Sequence, residues 1–129
     1  MILWGDSAEF NGQEIFYDLS EGGSVVPVMD FSIVQGGDAG SSCSNGSTDT
    51  AFSDGSGNLD ADPLLGALGD NRGPTPTLLP AAGSAAIDTG TNTGCPATDQ
   101  RGVARPQGPT CDIGAVEIDM IFADDFEQD

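Results

Sequence analysis

The sequence predicts an all-β fold, and three observations support this. The chain has 19 glycines and 8 prolines among 129 residues, which is typical of a protein rich in turns. No segment offers ten or more residues with the periodicity of an amphipathic helix. The stretch "VVPVMDFSIV", residues 25–34, instead alternates with period two and places five apolar residues on one face: Val25, Pro27, Met29, Phe31 and Ile33. A chain of this length is long enough for one domain with a real core.

Short strands are predicted on both sides of a long polar segment. Before it, apolar or alternating runs at 2–6 and 14–19 are separated by an Asn-Gly turn signal. The segment itself, 35–63, is rich in Gly, Ser and Asp and is predicted to be a loop of unusual length. After it, strands are predicted at 85–88, 113–118 and 120–126.

Composition excludes several classes of function. The chain has 21 acidic and three basic residues, no histidine, and a formal net charge of -18. Binding to nucleic acid or to an anionic membrane needs clustered basic residues, so neither is expected. Without His or Lys, most nucleophilic mechanisms are excluded, and acid–base cleavage of glycosides by paired carboxylates is the remaining enzymatic option. The sequence has neither a membrane-spanning stretch nor a signal peptide, so an exported chain would be a processed or truncated piece.

Units of a strand followed by glycine recur along the chain as "ILWGD", "FSIVQGGD", "AAIDTG" and "CDIGAVE". Their isoleucines lie at positions 2, 33, 87 and 113, which is not a fixed period. Uneven spacing of this kind suits a solenoid with variable insertions. Periodicity alone favours a solenoid and a β-sandwich equally.

The cysteine pattern predicts one disulfide. Cys95 and Cys111 flank a loop of 15 residues, and closing such a loop would stabilise the fold by about 3 kcal/mol in the chain-entropy model. Cys43 has no obvious partner, so it is either a free thiol or the mate of a cysteine outside this sequence. A reduced cytosolic chain is the alternative, whereas a cysteine metal site is disfavoured without His or a C-x-x-C motif.

A family resemblance rests on two stretches of the chain, 57–90 and 95–117. Four motifs carry it: Asn58-x-Asp60-x-Asp62-Pro63, Gly83-Ser84 before Ala86-Ile87-Asp88, Asp99-Gln100-Arg101-Gly102, and Cys111-Asp112-Ile113-Gly114-Ala115. Here the chain resembles the C-terminal region of secreted bacterial right-handed parallel β-helix proteins. This group is labelled choice-of-anchor Q domain proteins, relatives of the polymorphic outer-membrane protein repeats. The resemblance implies a pectin lyase-like solenoid and its C-terminal coils with a cap.

On this resemblance the chain would have four parts: the last β-helix coils at 1–34, the loop excursion at 35–63, the final coil and C-terminal cap at 64–118, and a terminal strand or tail at 119–129. The tail "IFADDFEQD" is similar to the Ile-Phe-Ala-Asp-Gly-Phe-Glu endings of many secreted bacterial proteins, with Asp125 where Gly is usual. A charged edge strand is the simpler interpretation of that tail.

A solenoid exposes its last rung unless a cap covers it, and residues 83–117 have what a cap needs. Four apolar side chains would fill its core: Ile87, Val103, Ile113 and Val116. Arg101 and Arg105 are expected to pair with acidic side chains, the candidates being Asp88, Asp99 and Asp112. The alternative is that one of these arginines binds a sugar carboxylate or acts as a base, as in pectate lyases.

Calcium is the one cofactor that the sequence suggests. Asp54, Asn58, Asp60 and Asp62 could supply oxygen ligands from an irregular loop, although Pro63 stands where an EF-hand needs glycine. The alternative is that these side chains bond their own backbone at a turn.

The sequence therefore predicts a non-enzymatic structural module of a secreted or cell-surface β-helix protein, which caps the helix and acts in adhesion or polysaccharide contact. A fragment of a polysaccharide lyase or hydrolase and a calcium-dependent binding module are the alternatives. The expected partners are upstream β-helix coils of the parent protein and a polysaccharide or cell-surface partner. Self-association through an apolar rung end at Ile2 and Trp4 is also expected.

Overall fold

A computed structural model describes residues 1–5, 15–17, 28–36, 41–43 and 53–118 of the chain. The chain divides into two compact units, which we call the N-terminal unit, residues 2–61, and the C-terminal unit, residues 62–129 together with Met1. In the described ranges no helix is long and apolar enough to cross a membrane.

The described residues of the N-terminal unit form six short strands in three parallel pairs. The pairs are β1 (Ile2–Leu3) with β4 (Ile33–Val34), β2 (Ile15–Tyr17) with β5 (Ser41–Cys43), and β3 (Val28–Met29) with β6 (Ser53–Asp54). Paired residues lie 31, 26 and 25 positions apart in the three pairs. A parallel bridge from Ile33 to Leu59 continues the first pair into a row of three segments. Each pair therefore joins two segments that lie 25 to 31 residues apart in the sequence.

The stretch 25–34 is not the single alternating strand that its sequence predicts. Phe31 has a φ of 47°, in the left-handed region, and this turn separates β3 from β4. After the turn, Ser32, Ile33 and Val34 are all buried, whereas Val28 is 64% exposed. Period-two alternation fails here because the chain changes direction between the two halves of the run.

The segment 35–63 was predicted to be a loop, but it contains β5, β6 and the bridge residue Leu59. β5 and β6 consist of Ser, Cys and Asp residues, which carry no periodic apolar signal. Both strands are paired to earlier strands by their backbone register. Pairing with a distant segment is invisible to a local reading of the sequence.

A buried corner of the N-terminal unit is tied together by the side chain of Asn58. Its Oδ1 accepts the N–H of Ser32 at 3.0 Å, and its Nδ2 donates to the carbonyl of Met29 at 2.6 Å. The N–H of Leu59 donates to the carbonyl of Ser32 at 2.8 Å. One amide side chain thus satisfies backbone groups of a segment 26 to 29 residues earlier.

Gly57 stands at this corner with a φ of +71°, and a Cβ built there would lie 2.6 Å from Cδ1 of Phe31. We expect Gly57→Ala to lower the free energy of unfolding by about 2–3 kcal/mol, because strain and overlap add. Gly5→Ala is the matched control, since Gly5 has a φ of +79° with nothing within 4 Å of its Cβ position. Strain alone should cost about 1 kcal/mol there. Equal losses in urea denaturation would contradict the close approach to Phe31.

The described part of the C-terminal unit, 62–118, contains isolated bridges in place of longer strands. Leu65 with Pro80 and Gly69 with Thr77 form antiparallel bridges that fold 64–81 back on itself. The strands predicted at 85–88 and 113–118 are wrong, because 85–88 forms a turn and 113–118 is assigned to no strand or bridge in the part of the chain that the structure describes. The predicted strand at 120–126 lies outside the described residues.

Two segments of the C-terminal unit, 86–92 and 109–113, run side by side. The N–H of Ile113 donates to the carbonyl of Ala86 at 2.8 Å, and that of Gly90 to Cys111 at 2.9 Å. Buried apolar side chains of this unit are Ala86, Cys111, Ile113 and Val116, whereas Ile87 and Val103 are half-buried. Two of the four predicted core side chains, Ile113 and Val116, are therefore fully enclosed.

Candidate functional site

Five charged side chains come together in the C-terminal unit, and we call them the charged cluster: Asp99, Arg101, Arg105, Asp112 and Glu117. The side chains of Asp99 and Glu117 are 0% exposed, and those of Arg101 and Arg105 are 12% and 6% exposed. Asp112 is also buried. Burying a charge without a partner costs several kcal/mol, so the pairing inside this cluster decides its contribution to stability.

Asp99 organises the first half of the cluster. Its Oδ1 accepts the N–H groups of Arg101 at 2.7 Å and Val103 at 2.9 Å. Its Oδ2 accepts the N–H of Glu117 at 3.0 Å and Nε of Arg101 at 2.9 Å. The Arg101 guanidinium also donates from Nη2 to the carbonyl of Glu117 at 2.6 Å. The Asp-Gln-Arg-Gly turn is thereby fastened to the backbone of Glu117, 18 residues later.

Arg105 and Glu117 form the second half. Arg105 donates from Nε to Oε2 of Glu117 at 2.9 Å, and its two other nitrogens reach the carbonyls of Gly114 and Asp112. Glu117 also accepts the N–H of Asp112 on Oε2 and that of Gln107 on Oε1. Hydrogen bonds that involve a charged group are stronger than those between neutral groups. Here Arg105 and Glu117 bond each other, and both also bond the backbone of Asp112.

Asp112 differs from the other two carboxylates because the arginine bond that the structure describes at this residue, from Arg105, goes to its backbone carbonyl and not to its carboxylate. Its Oδ1 accepts the N–H of Asp88 at 2.8 Å and its Oδ2 that of Ile118 at 2.6 Å. Burial raises the pKa of the Asp112 carboxyl above its ordinary value, and the negative charges of Glu117 and Asp88 raise it further. Asp112 is thus held in place by backbone N–H groups but disfavours its own ionised form.

Asp99 shows the opposite balance. Burial alone would raise the pKa of its carboxyl, but hydrogen bonds from the backbone of Glu117 and Val103 and from Arg101 outweigh it. The pKa of Asp99 is therefore lowered from its ordinary value of 3.8.

These two carboxyls predict a pH dependence with a maximum. Because the pKa of Asp112 is raised, its protonation should add stability as the pH falls from neutral toward about 4. Because the pKa of Asp99 is lowered, stability should be lost once the pH falls below about 4 and Asp99 begins to protonate. Thermal melting between pH 7 and pH 2 should therefore show a highest melting temperature on the acid side.

The net charge of -18 also favours folding as acid groups are neutralised, so variants are needed to assign the slopes. Asp112→Asn should flatten the rise between pH 7 and pH 4, and Asp99→Asn should flatten the loss below pH 4. If Asp99→Asn changes its melting temperature below pH 4 in the same way as the unmodified chain does, the role given to Asp99 is wrong.

The predicted disulfide between Cys95 and Cys111 is present, with a Cα–Cα distance of 6.6 Å. The residues that it encloses include three members of the charged cluster, Asp99, Arg101 and Arg105. Asp112 follows Cys111 directly. The disulfide therefore closes the loop from which one half of the cluster projects.

The structure brings together most of the predicted ion-pair residues, with two corrections to their partners. Arg101 pairs with Asp99 as expected. Arg105 pairs with Glu117, which was not among the expected partners. Asp88 takes part through its backbone, donating to Asp112 and accepting from Thr110, and not as an arginine partner. Glu117 could have been suspected, since an acidic residue inside the apolar run 113–118 is rarely buried unless it is paired.

The calcium candidates are engaged separately. Asn58 bonds the backbone of Met29 and Ser32, Asp60 accepts the N–H of Gly36, and Asp62 accepts that of Leu64. The side chain of Asp54 lies outside the described part of the chain. Where the structure describes side chains, no group of three or more acidic, His or Cys residues is arranged to hold a metal ion. Asn58 and Asp60 thus bond a segment 24 to 29 residues earlier in the chain.

The charged cluster can hold chain segments together, but its carboxylates are closed to solvent. Each oxygen of Asp99, Asp112 and Glu117 accepts at least one hydrogen bond from within the C-terminal unit. These carboxylates are therefore occupied by contacts within the unit and are buried away from solvent. Comparison of the chain with protein-family models, with curated proteins and with solved structures finds no match.

Proposed function

We propose that the chain is a non-enzymatic structural module from the C-terminal part of a secreted or cell-surface right-handed parallel β-helix protein. In this proposal residues 2–61 contribute the last rungs, and residues 62–118 cap them. The exposed sides of the rungs would contact a polysaccharide or a cell-surface partner. The parent protein's upstream coils, or a second copy, would cover the other end of the rungs.

The parallel pairs of the N-terminal unit support the first part of the proposal. Parallel strands need a long crossover connection, and a solenoid supplies one by stacking each turn of chain on the one before. In the three pairs, the paired residues are separated by 31, 26 and 25 positions, so the number of residues between stacked segments is similar. The row from Ile2 through Ile33 to Leu59 is what three successive rungs require.

The single observation that carries the structural role is the closed charged cluster. A catalytic or sugar-binding arginine needs a guanidinium that a ligand can reach. The Arg105 guanidinium instead donates hydrogen bonds to Glu117, Gly114 and Asp112. Such a cluster fixes the shape of an irregular segment that has too few apolar residues for a conventional core. This favours a cap over a polysaccharide lyase or hydrolase.

The disulfide supports the proposed location. Structural disulfides persist in oxidising compartments such as the periplasm and the cell exterior, and they are rare in the cytosol. Cys95 and Cys111 are joined within an acidic chain, whose charge of -18 also suits an exposed and soluble surface.

Trp4, the chain's one tryptophan, provides a test because it reports on the N-terminal unit. If residues 62–118 cap the rungs, damage to the charged cluster should also destabilise the N-terminal unit. Arg101→Ala should therefore lower the urea midpoint seen by Trp4 fluorescence together with the midpoint seen by far-ultraviolet circular dichroism.

Arg72→Ala is the matched control, since Arg72 is the exposed arginine of the same unit and should leave both midpoints in place. If Arg101→Ala shifts the dichroism midpoint and leaves the Trp4 midpoint unchanged, the cap proposal is wrong.

A further inference from the structure

The disulfide and the charged cluster are linked along the chain. The ring closed by Cys95 and Cys111 carries Asp99, Arg101 and Arg105. The cluster's remaining members, Asp112 and Glu117, follow directly after Cys111. The Arg101–Asp99 pair lies within the ring, whereas the Arg105–Glu117 pair joins the ring to the segment after Cys111, so opening the ring would loosen the second pair.

The two sulfur-bearing residues differ in their access to solvent. Cys95 is only partly buried, whereas Cys111 is 2% exposed. The backbone of Cys111 is also fixed on both sides, because its N–H donates to Oδ1 of Asn92 at 3.0 Å and its carbonyl accepts the N–H of Gly90 at 2.9 Å. Cys95 is therefore the more exposed of the two residues, and we expect an external reductant to attack there.

We propose that the Cys95–Cys111 disulfide is a redox latch for the charged cluster. The latch is closed by oxidation, and once closed it is protected from reduction. The cluster is assembled in the oxidised chain and is lost in the reduced one. The biological role of the latch rests on the proposed function, because the latch would let the cap form only after export to an oxidising compartment.

The chemistry of the latch is thiol–disulfide exchange. In reduction, an external thiolate attacks Sγ of Cys95 and forms a mixed disulfide with it, while the Cys95–Cys111 bond breaks. The electron pair leaves on Sγ of Cys111, which then takes a proton from water. In closure, the two thiols give two electrons and two protons to an external disulfide, which is released as two thiols.

The buried position of Cys111 explains why the closed latch resists reduction. The sulfur that leaves belongs to Cys111, which is 2% exposed, and burial away from water disfavours the charged thiolate that the exchange must release there. Asp112, the next residue, is itself a buried carboxyl whose pKa is raised. The attack at Cys95 must therefore expel a thiolate into a site that already disfavours negative charge.

An open latch would have a large effect on the cluster. Loss of a cross-link around 15 residues raises the population of open forms by about 100-fold in the chain-entropy model. The open ring would also separate Arg105 from Glu117, whose side chain is 0% exposed in the closed form. Since an unpaired buried charge is strongly disfavoured, the cluster should be lost as a whole and not residue by residue.

The first experiment locates the attack. A Cys43→Ser chain, which retains only Cys95 and Cys111, is treated with 2-mercaptoethanol under native conditions, quenched with acid and mapped by mass spectrometry. We expect the mixed disulfide on Cys95, with Cys111 as the free thiol, and reduction about 100-fold slower than in 8 M urea. A mixed disulfide on Cys111, or equal rates with and without urea, would overturn the protection.

The second experiment asks whether the cluster depends on the latch. Hydrogen exchange is measured for the amides of Val103, Glu117 and Ile118, which donate to the carboxylates of the cluster. In the fully reduced Cys43→Ser chain these amides should exchange about 100-fold faster than in the oxidised chain. Unchanged exchange would overturn the latch. The cap proposal is judged separately, by Trp4 in the oxidised chain.

Discussion

Arg105→Met is expected to lower the free energy of unfolding by about 3–5 kcal/mol, which is the range for breaking a buried ion pair from one side. Methionine keeps much of the apolar stem but removes the charge that neutralises Glu117, whose side chain is 0% exposed. It also removes the donors that satisfy the carbonyls of Gly114 and Asp112. The loss is measured by urea denaturation followed by circular dichroism.

Two comparisons make this prediction specific. Arg72→Met changes an exposed arginine of the same unit and should alter stability by no more than about 0.5 kcal/mol. The double variant Arg105→Met with Glu117→Gln should lose less than the sum of the single losses, because the second change removes the stranded charge. If the single losses add, or if Arg105→Met matches Arg72→Met, Arg105 and Glu117 do not form the buried pair described here.

Asp99→Ala is the second change with a large expected effect, again about 3–5 kcal/mol. Asp99 accepts four hydrogen bonds, and each backbone donor that is left unsatisfied in a buried site costs about 1–3 kcal/mol. The guanidinium of Arg101 would lose its carboxylate as well. Thermal and urea unfolding should both report the loss.

Asp70→Ala is a matched control for the local turn. Oδ1 of Asp70 accepts the N–H of Arg72, two residues later, as Oδ1 of Asp99 accepts that of Arg101. Asp70 is exposed and lacks the longer-range contacts of Asp99. A loss for Asp99→Ala no larger than that for Asp70→Ala would mean that Asp99 acts only in its own turn.

The parts of the C-terminal unit that the sequence predicts are those fixed by short separations. The disulfide follows from two cysteines around a loop of favourable length, and the Arg101–Asp99 pair from a separation of two positions in the sequence. Arg105 has acidic residues on both sides in the sequence, and only the folded chain selects Glu117, 12 residues away. The choice depends on where 113–118 returns, which local patterns do not encode.

In the N-terminal unit, positions with apolar side chains are predicted better than the pairing between segments. Strands at β1 and β2 coincide with apolar runs, whereas β5 and β6 have sequences of Ser, Cys and Asp. The role of Asn58 is equally hard to predict from local sequence, since its side chain bonds Ser32, which lies 26 positions earlier. A local reading instead offers a turn bond or a calcium ligand, because short polar side chains serve all three purposes.

The central claim is a stack of parallel rungs, and methyl nuclear Overhauser contacts in a chain labelled at Ile and Leu test it most directly. Residues in parallel register place their side chains on the same face, close enough for methyl contact. Ile33 should show contacts to both Ile2 and Leu59, which lie opposite it on its two sides. An antiparallel pattern that sets Leu3 opposite Ile33, with no contact between Ile33 and Leu59, would contradict the account.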